Sequence, residues 1–264
     1  MQRRGCAGGD RRHIGPVQGR RLMSTMLPAV LAAILVAGLA RALTGFGFAL
    51  LAVPLLSLHM AVPNAVALTI VLQVAMVPRD VFVSWRRLDR GYLLRLLVWA
   101  LPAIPLGQLA LLSVPAEGAR MALAGLVLTG VGMRAAPPPL AGLLRRMPVG
   151  VAGFLAGFMG GLAAMPGPPV VLHALSRPDA PDRTRATLLL FFGALSICAL
   201  PVLVQSGAAD AGLGWLALSA LPVLLLADSL GRRLSGYISV SAYHNLSAGL
   251  LCLSACLAVY PVLR

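Results

Sequence analysis

Arg41 lies inside an apolar run, four residues before Gly45. A guanidinium in hydrocarbon is costly unless it has a partner or faces water. Its fixed charge and planar fork suit the paired oxygens of a small oxyanion, so Arg41 is a candidate substrate-binding residue expected to face an internal cavity; snorkelling to an interface is the plainer alternative. Three further ionisable residues are candidates for carrying a coupling proton. Asp228 ends the stretch Leu224-Leu225-Leu226-Ala227 and has no acidic neighbour in sequence, although Arg232 at i+4 can pair with it. Asp80 follows Arg79, with which an interfacial ion pair is expected. His173 closes an apolar segment and can titrate near neutrality, or simply be hydrogen-bonded.

Two stretches share a different chemistry. Residues 38–58 carry Gly45, Gly47 and Pro54, and residues 153–175 carry Gly160, Gly161, Gly167 and Pro169. Glycine followed by proline lets a helix unwind, because glycine is permissive and proline lacks an N–H. Half-helix N-termini and freed amides then suit an anion, and such backbone is tolerated at membrane depth only where it lines a cavity. Close helix packing on small residues is the competing reading; recurrence of the pattern with proline at the same offset favours the anion cradle.

The elements that hold these residues follow from composition. Of 264 residues 59% are hydrophobic and 11% charged, against about a quarter charged in soluble domains. Apolar runs at 27–58, 61–83, 92–114, 119–133, 148–175, 184–204, 212–230 and 242–262 predict an all-α polytopic membrane protein of about eight transmembrane helices. The first and fifth runs are too long for one straight span and should be broken or re-entrant. Residues 1–26 read as a basic, disordered extension, 27–133 as a first repeat, 134–147 as a linker with three consecutive prolines, and 148–262 as a second repeat. Six identities at a shift of 115 support duplication, among them Gly38 with Gly153, Gly45 with Gly160 and Pro54 with Pro169. Further on the shift becomes 124, pairing Gly107 with Gly231, and a loop at 206–215 is expected to absorb the difference. If each broken element crosses once, there are eight crossings and parallel repeats, the arrangement this reading favours. If each returns to its side of entry, the repeats are inverted.

The formal charge of +14 comes from arginine alone. Its clusters, such as Arg86-Arg87 and Arg232-Arg233, sit between apolar runs as cytoplasmic loops do, so the expected partners are a lipid bilayer and a small anionic substrate. Nucleic acid is excluded by the lack of zinc-finger spacing or of a basic face interleaved with aromatics. Cys6, Cys198, Cys252 and Cys256 are too scattered for a disulfide framework; Cys252 and Cys256 share a helix face at i, i+4 that could hold a soft metal, but no His or acidic partner sits beside them and core packing is the favoured reading. No paired carboxylates, His-Glu pair or base-assisted serine points to an enzyme, and no cofactor is implied. A membrane-embedded assembly factor or enzyme, and a passive anion channel, are the alternatives. Small residues such as Gly125 and Gly130 allow a homodimer.

Gly45-Phe46-Gly47-Phe48, then Val53-Pro54-Leu55-Leu56 and Pro63-Asn64-Ala65-Val66, resemble the first repeat of the sulfite exporter TauE/SafE family. Gly153 to Gly161 followed by Gly167-Pro168-Pro169-Val170 resembles its second. The similarity runs from about residue 27 to 262, although Met159-Gly160-Gly161-Leu162 is less glycine-dense than many members. The resemblance implies transport of sulfite, sulfonates or related anions across the cell membrane, without a chemical step.

Overall fold

The computed structural model describes residues 16–44, 47–115, 117–118, 121–122, 124–125, 147–177, 179–207 and 211–235. The run at 242–262, most of 119–133 and the linker, Gly45, Cys6, Cys252 and Cys256 lie outside them. Among the described residues the regular elements are all helical: α1 (Pro16–Thr44), α2 (Phe48–Ser57), α3 (Val62–Ser84), α4 (Arg90–Ala100), α5 (Ala103–Ser113), α6 (Val149–Ala163), α7 (Gly167–Leu175), α8 (Pro181–Gln205) and α9 (Ala211–Ser235). The first helix starts at Pro16, ahead of the boundary expected at 27, with proline in the first helical position where its missing N–H is harmless.

Val62–Ser84, Arg183–Gln205 and Gly212–Leu234 have 23 residues each. At 1.5 Å per residue that is about 34 Å, enough for a hydrocarbon core of about 30 Å. The run expected at 92–114 is instead two helices bent by 43°. Leu101-Pro102 is the break, because proline both lacks an N–H and crowds the preceding turn. Together α4 and α5 make a fourth candidate span among the described residues, short of the eight expected, while Leu27–Leu43, Phe48–Ser57 and Val149–Ala163 are apolar but shorter. Phe82, 89% exposed, and Leu226, 68% exposed, point away from the packed interior, as lipid-facing side chains do.

Both long runs break where glycine and proline predicted an interruption. The first opens between Thr44 and Phe48, and α2 packs alongside α1. The second opens at 164–166. There Ala164 takes a left-handed conformation (φ 56°), its N–H donates to the Gly160 carbonyl (2.9 Å) and that of Met165 to Met159 (3.4 Å), a Schellman-type stop. Pro54, however, does not interrupt anything: α2 runs through it, so the break lies upstream of Phe48.

Helix packing is reciprocal between the halves. The first helix of each half lies on the fourth element of the other (α1 on α9, α6 on α4 and α5), and α3 crosses α8. Elements recur at a spacing of 119 residues, from Phe48 to Gly167 and from Val62 to Pro181, one helical turn from the 115 of the identities. α9 already begins at Ala211, so the connector is shorter than the loop expected at 206–215, and α8 has 25 residues against 23 in α3.

Contacts fix the directions. A Cβ at Gly153 would lie 2.7 Å from the Leu96 carbonyl, at Gly157 2.1 Å from that of Ala100 and at Gly161 2.2 Å from that of Ile104, so α6 runs parallel to α4 and α5. The α3 and α8 helices run antiparallel: Ser196 Oγ donates to Gln73 Oε1 (3.0 Å), and past the end of α3 the Asp89 N–H donates to Thr187 Oγ1 (2.9 Å). Of the corresponding helices, α3 and α8 therefore point in opposite directions. This course differs from the parallel one favoured from sequence. It gathers Arg86, Arg87 and Arg90 on the same side as Arg177, Arg183, Arg232 and Arg233, which a parallel arrangement would divide between two sides.

Candidate functional site

Arg41, in the last turn of α1, is 7% exposed, and it is paired rather than free. Its Nη1 donates to Asp228 Oδ1 on α9 (3.0 Å) and its Nη2 to Asp80 Oδ2 on α3. The second Asp228 oxygen receives Arg79 Nη1 (2.9 Å) and Arg232 Nη2 (2.8 Å). Asp80 and Asp228 are 3% and 1% exposed. Three arginines and two aspartates from three helices thus form one cluster, with Arg41 and both aspartates buried and Arg79 and Arg232 half-buried, and a formal surplus of one positive charge. Burial of this kind is tolerable only when each charge is matched by good hydrogen-bond geometry.

The expected Arg79–Asp80 pair is not formed: neighbours on a helix point about 100° apart, and Arg79 reaches Asp228 instead. The i+4 pair of Asp228 and Arg232 is formed.

Arg41 and Asp80 also line a small, partly open cavity. The other walls are residues 48–50 and 164–167, the two helix breaks, with Gln73 at the middle of α3 and Phe192 and Gly193 at the middle of α8. Helices α2 and α7 both start at this cavity, so two positive dipole ends meet there. They are unequal. The first turn of α2 has the N–H groups of Phe48, Ala49 and Leu50, whereas Pro168 and Pro169 leave α7 with that of Gly167 alone.

The remaining predicted residues divide between cavity and packing. Gly47 caps α2 and Gly167 opens α7 beside the cavity, with Pro169 buried in the same turn. Gly160 sits one turn earlier, facing Pro166 at 3.3 Å from a built Cβ. Gly161 faces α5 instead, so helix packing is its structural role. His173 is not with the cluster. Its Nδ1 pairs with Tyr92 Oη (2.7 Å), and Arg177 stacks over the Tyr92 ring at 4.2 Å while holding Asp89 (3.0 Å) and Asp179 (2.6 Å). Asp89 caps α4; accepting the Tyr92 N–H holds its carboxyl below the usual range, and Arg183 and Arg177 add to this.

Gln73, Phe192 and Gly193 were not singled out from sequence. A lone glutamine in the 61–83 run was the available signal, since a buried amide needs partners. Phe192 and Gly193 look like ordinary helix residues.

Spanning-length helices with outward apolar side chains, closed around a charged internal cavity, define an integral membrane protein of the transporter type. The chain belongs to the sulfite exporter TauE/SafE family, whose sequence profile matches residues 30–258. It is similar to the probable sulfite/organosulfonate exporter TauE of Cupriavidus necator, with 30% identity over 155 residues, 57% of this chain. The aligned stretch spans 60% of that relative. No solved structure matches the chain.

Proposed function

We propose that this protein is a secondary transporter of a small oxyanion, sulfite or an organosulfonate, in the cell membrane. The carrying observation is the cavity in which two helix breaks, two helix N-termini and Arg41 come together in a chain of this family. An anion there replaces its hydration with helix dipoles, the α2 amides and the Gln73 side chain. The apolar walls formed by Leu50, Leu189 and Phe192 raise the strength of each contact by excluding water.

Antiparallel α3 and α8, with reciprocal packing around them, support two inverted repeats, each with one re-entrant hairpin. The eight apolar runs then make six crossings and two hairpins. The arginine-rich side is the cytoplasmic one by the positive-inside bias.

The test is uptake of radiolabelled sulfite, thiosulfate, sulfoacetate and small carboxylates into proteoliposomes with an imposed pH step. Saturable, concentrative flux that prefers sulfur oxyanions is expected. A passive channel gives flux that never exceeds the anion gradient, and an enzyme or assembly factor gives none above protein-free liposomes.

A further inference from the structure

Asp80 and Asp228 share Arg41 but not its surroundings. Asp228 is saturated: Oδ1 takes Arg41, and Oδ2 takes Arg79 and Arg232. Asp80 has Arg41 on Oδ2, while its buried Oδ1 accepts no hydrogen bond, Arg232 Nη2 standing 3.9 Å from it. A buried carboxylate oxygen without a donor is costly, and this one belongs to a residue that lines the cavity. Asp228 does not line it.

Building on the transport reading, we propose that Asp80 takes up one proton when the anion binds, so that Arg41 exchanges Asp80 for the substrate. The proton comes from solvent and sits on the Asp80 carboxyl; no covalent bond of the substrate changes. Neutral Asp80 no longer competes for the guanidinium, which then turns its fork to the anion's oxygens. Charge balance permits the exchange. The cluster begins with one surplus positive charge, and a monovalent anion arriving with one proton leaves that surplus as it was. An anion arriving alone would cancel it and face the Asp80 carboxylate.

The groups around Asp80 allow this. From α1 it meets Arg41, and from α9 Asp228 and Arg232. On its own helix Arg79 turns to Asp228, α2 has no ionisable residue, and α8 directs Arg183 to Asp89 and Arg185 to the Ala42 carbonyl. Asp228, held by three arginines, serves as the fixed anchor.

The experiment uses the full chain in detergent and weak buffer, titrated with methanesulfonate, which stays ionised throughout, so any proton taken up goes to the protein. Wild type should take up about one proton per anion bound, and Asp80→Asn less than a tenth of that. His173→Gln should behave as wild type, because His173 lies on Tyr92, away from the cavity. Infrared difference spectra of the wild type supply a readout independent of any variant: a protonated-carboxyl stretch should appear on binding. Binding without proton uptake, uptake undiminished in folded Asp80→Asn, or absence of that stretch overturns the exchange while leaving the transport reading intact. If neither methanesulfonate nor sulfite binds, the transport reading falls, and the exchange with it.

Discussion

The side-chain amide of Gln108 on α5 donates to the carbonyl oxygen of Ala199 on α8 across 2.7 Å, at the place that Arg232 and Asp80 take in the other half. Ala199 follows Asp80 by the 119 residues that relate α3 to α8, and Arg232 follows Gln108 by the 124 that relate Gly107 to Gly231. A neutral hydrogen bond on one side thus stands where a longer charged contact, 3.9 Å, stands on the other. The charged cluster is consequently one-sided, although the packing around it is reciprocal.

Gln108→Leu removes that bond together with the buried Gln108 Oε1, which has no partner. The two effects oppose each other, so stability should change by no more than about 1 kcal/mol. Thermal unfolding in detergent measures this. A much larger loss would mean that the bond itself holds α5 to α8.

The inverted topology predicts sidedness. In a chain cleared of its native cysteines, Arg87→Cys, Arg183→Cys and Arg233→Cys should react with an impermeant maleimide from one face of the membrane, and His59→Cys from the other. Parallel repeats would instead put Arg183→Cys and Arg233→Cys on the face opposite Arg87→Cys.

Gly157→Ala should cost more than any other glycine-to-alanine change in α6 or α9 that leaves the cavity alone. Its Cβ would stand 2.1 Å from the Ala100 carbonyl, and backbone cannot step aside as a side chain can; overpacking of this kind typically costs about 1–3 kcal/mol. Gly214→Ala, with nothing within 4 Å, should be silent. Equal unfolding temperatures for the two variants would contradict the close approach of α6 to α4.

Arg41→Gln leaves two buried carboxylates short of a cation, a change that usually costs about 3–5 kcal/mol. Adding Asp80→Asn should restore part of that loss, since Asp228 keeps Arg79 and Arg232. Chemical denaturation of the single and double variants tests it. A double variant less stable than Arg41→Gln alone would show that the pair does not act as a unit.

Asp89 sets an acid limit. Its folded carboxyl titrates below its unfolded value of about 3.9, so the stability it contributes is complete above roughly pH 4 and fades as pH falls through the folded value. Asp89→Asn keeps an acceptor for the Tyr92 N–H but cannot titrate. Its unfolding temperature should fall less between pH 5 and pH 3, an interval of about two units around that value, than that of the wild type. Parallel curves would remove Asp89 from the acid response.

Some of this was legible along the chain. Hydropathy acts within a helix, so the apolar runs announced a membrane and the spans at 62–84, 183–205 and 212–234. Glycine and proline act within a turn, so both helix breaks were visible, as was the bond between Asp228 and Arg232 one turn apart. The cost of an isolated guanidinium marked Arg41 as needing a partner. Which partner depended on neighbours that no local pattern contains: Asp80 is 39 residues away and Asp228 187. Only the antiparallel course of α3 and α8, and the seating of α9 against α1, bring them to one point. The same packing turned Gly161 from a supposed cradle into a helix contact and put Gln73 and Phe192 on the cavity wall. Sequence alone thus determined a helical membrane protein with two interrupted elements, because those properties arise from residues within a few positions of one another. The tertiary structure decided the antiparallel course of α3 and α8, the ion partners and the cavity, because each depends on which helix surfaces meet.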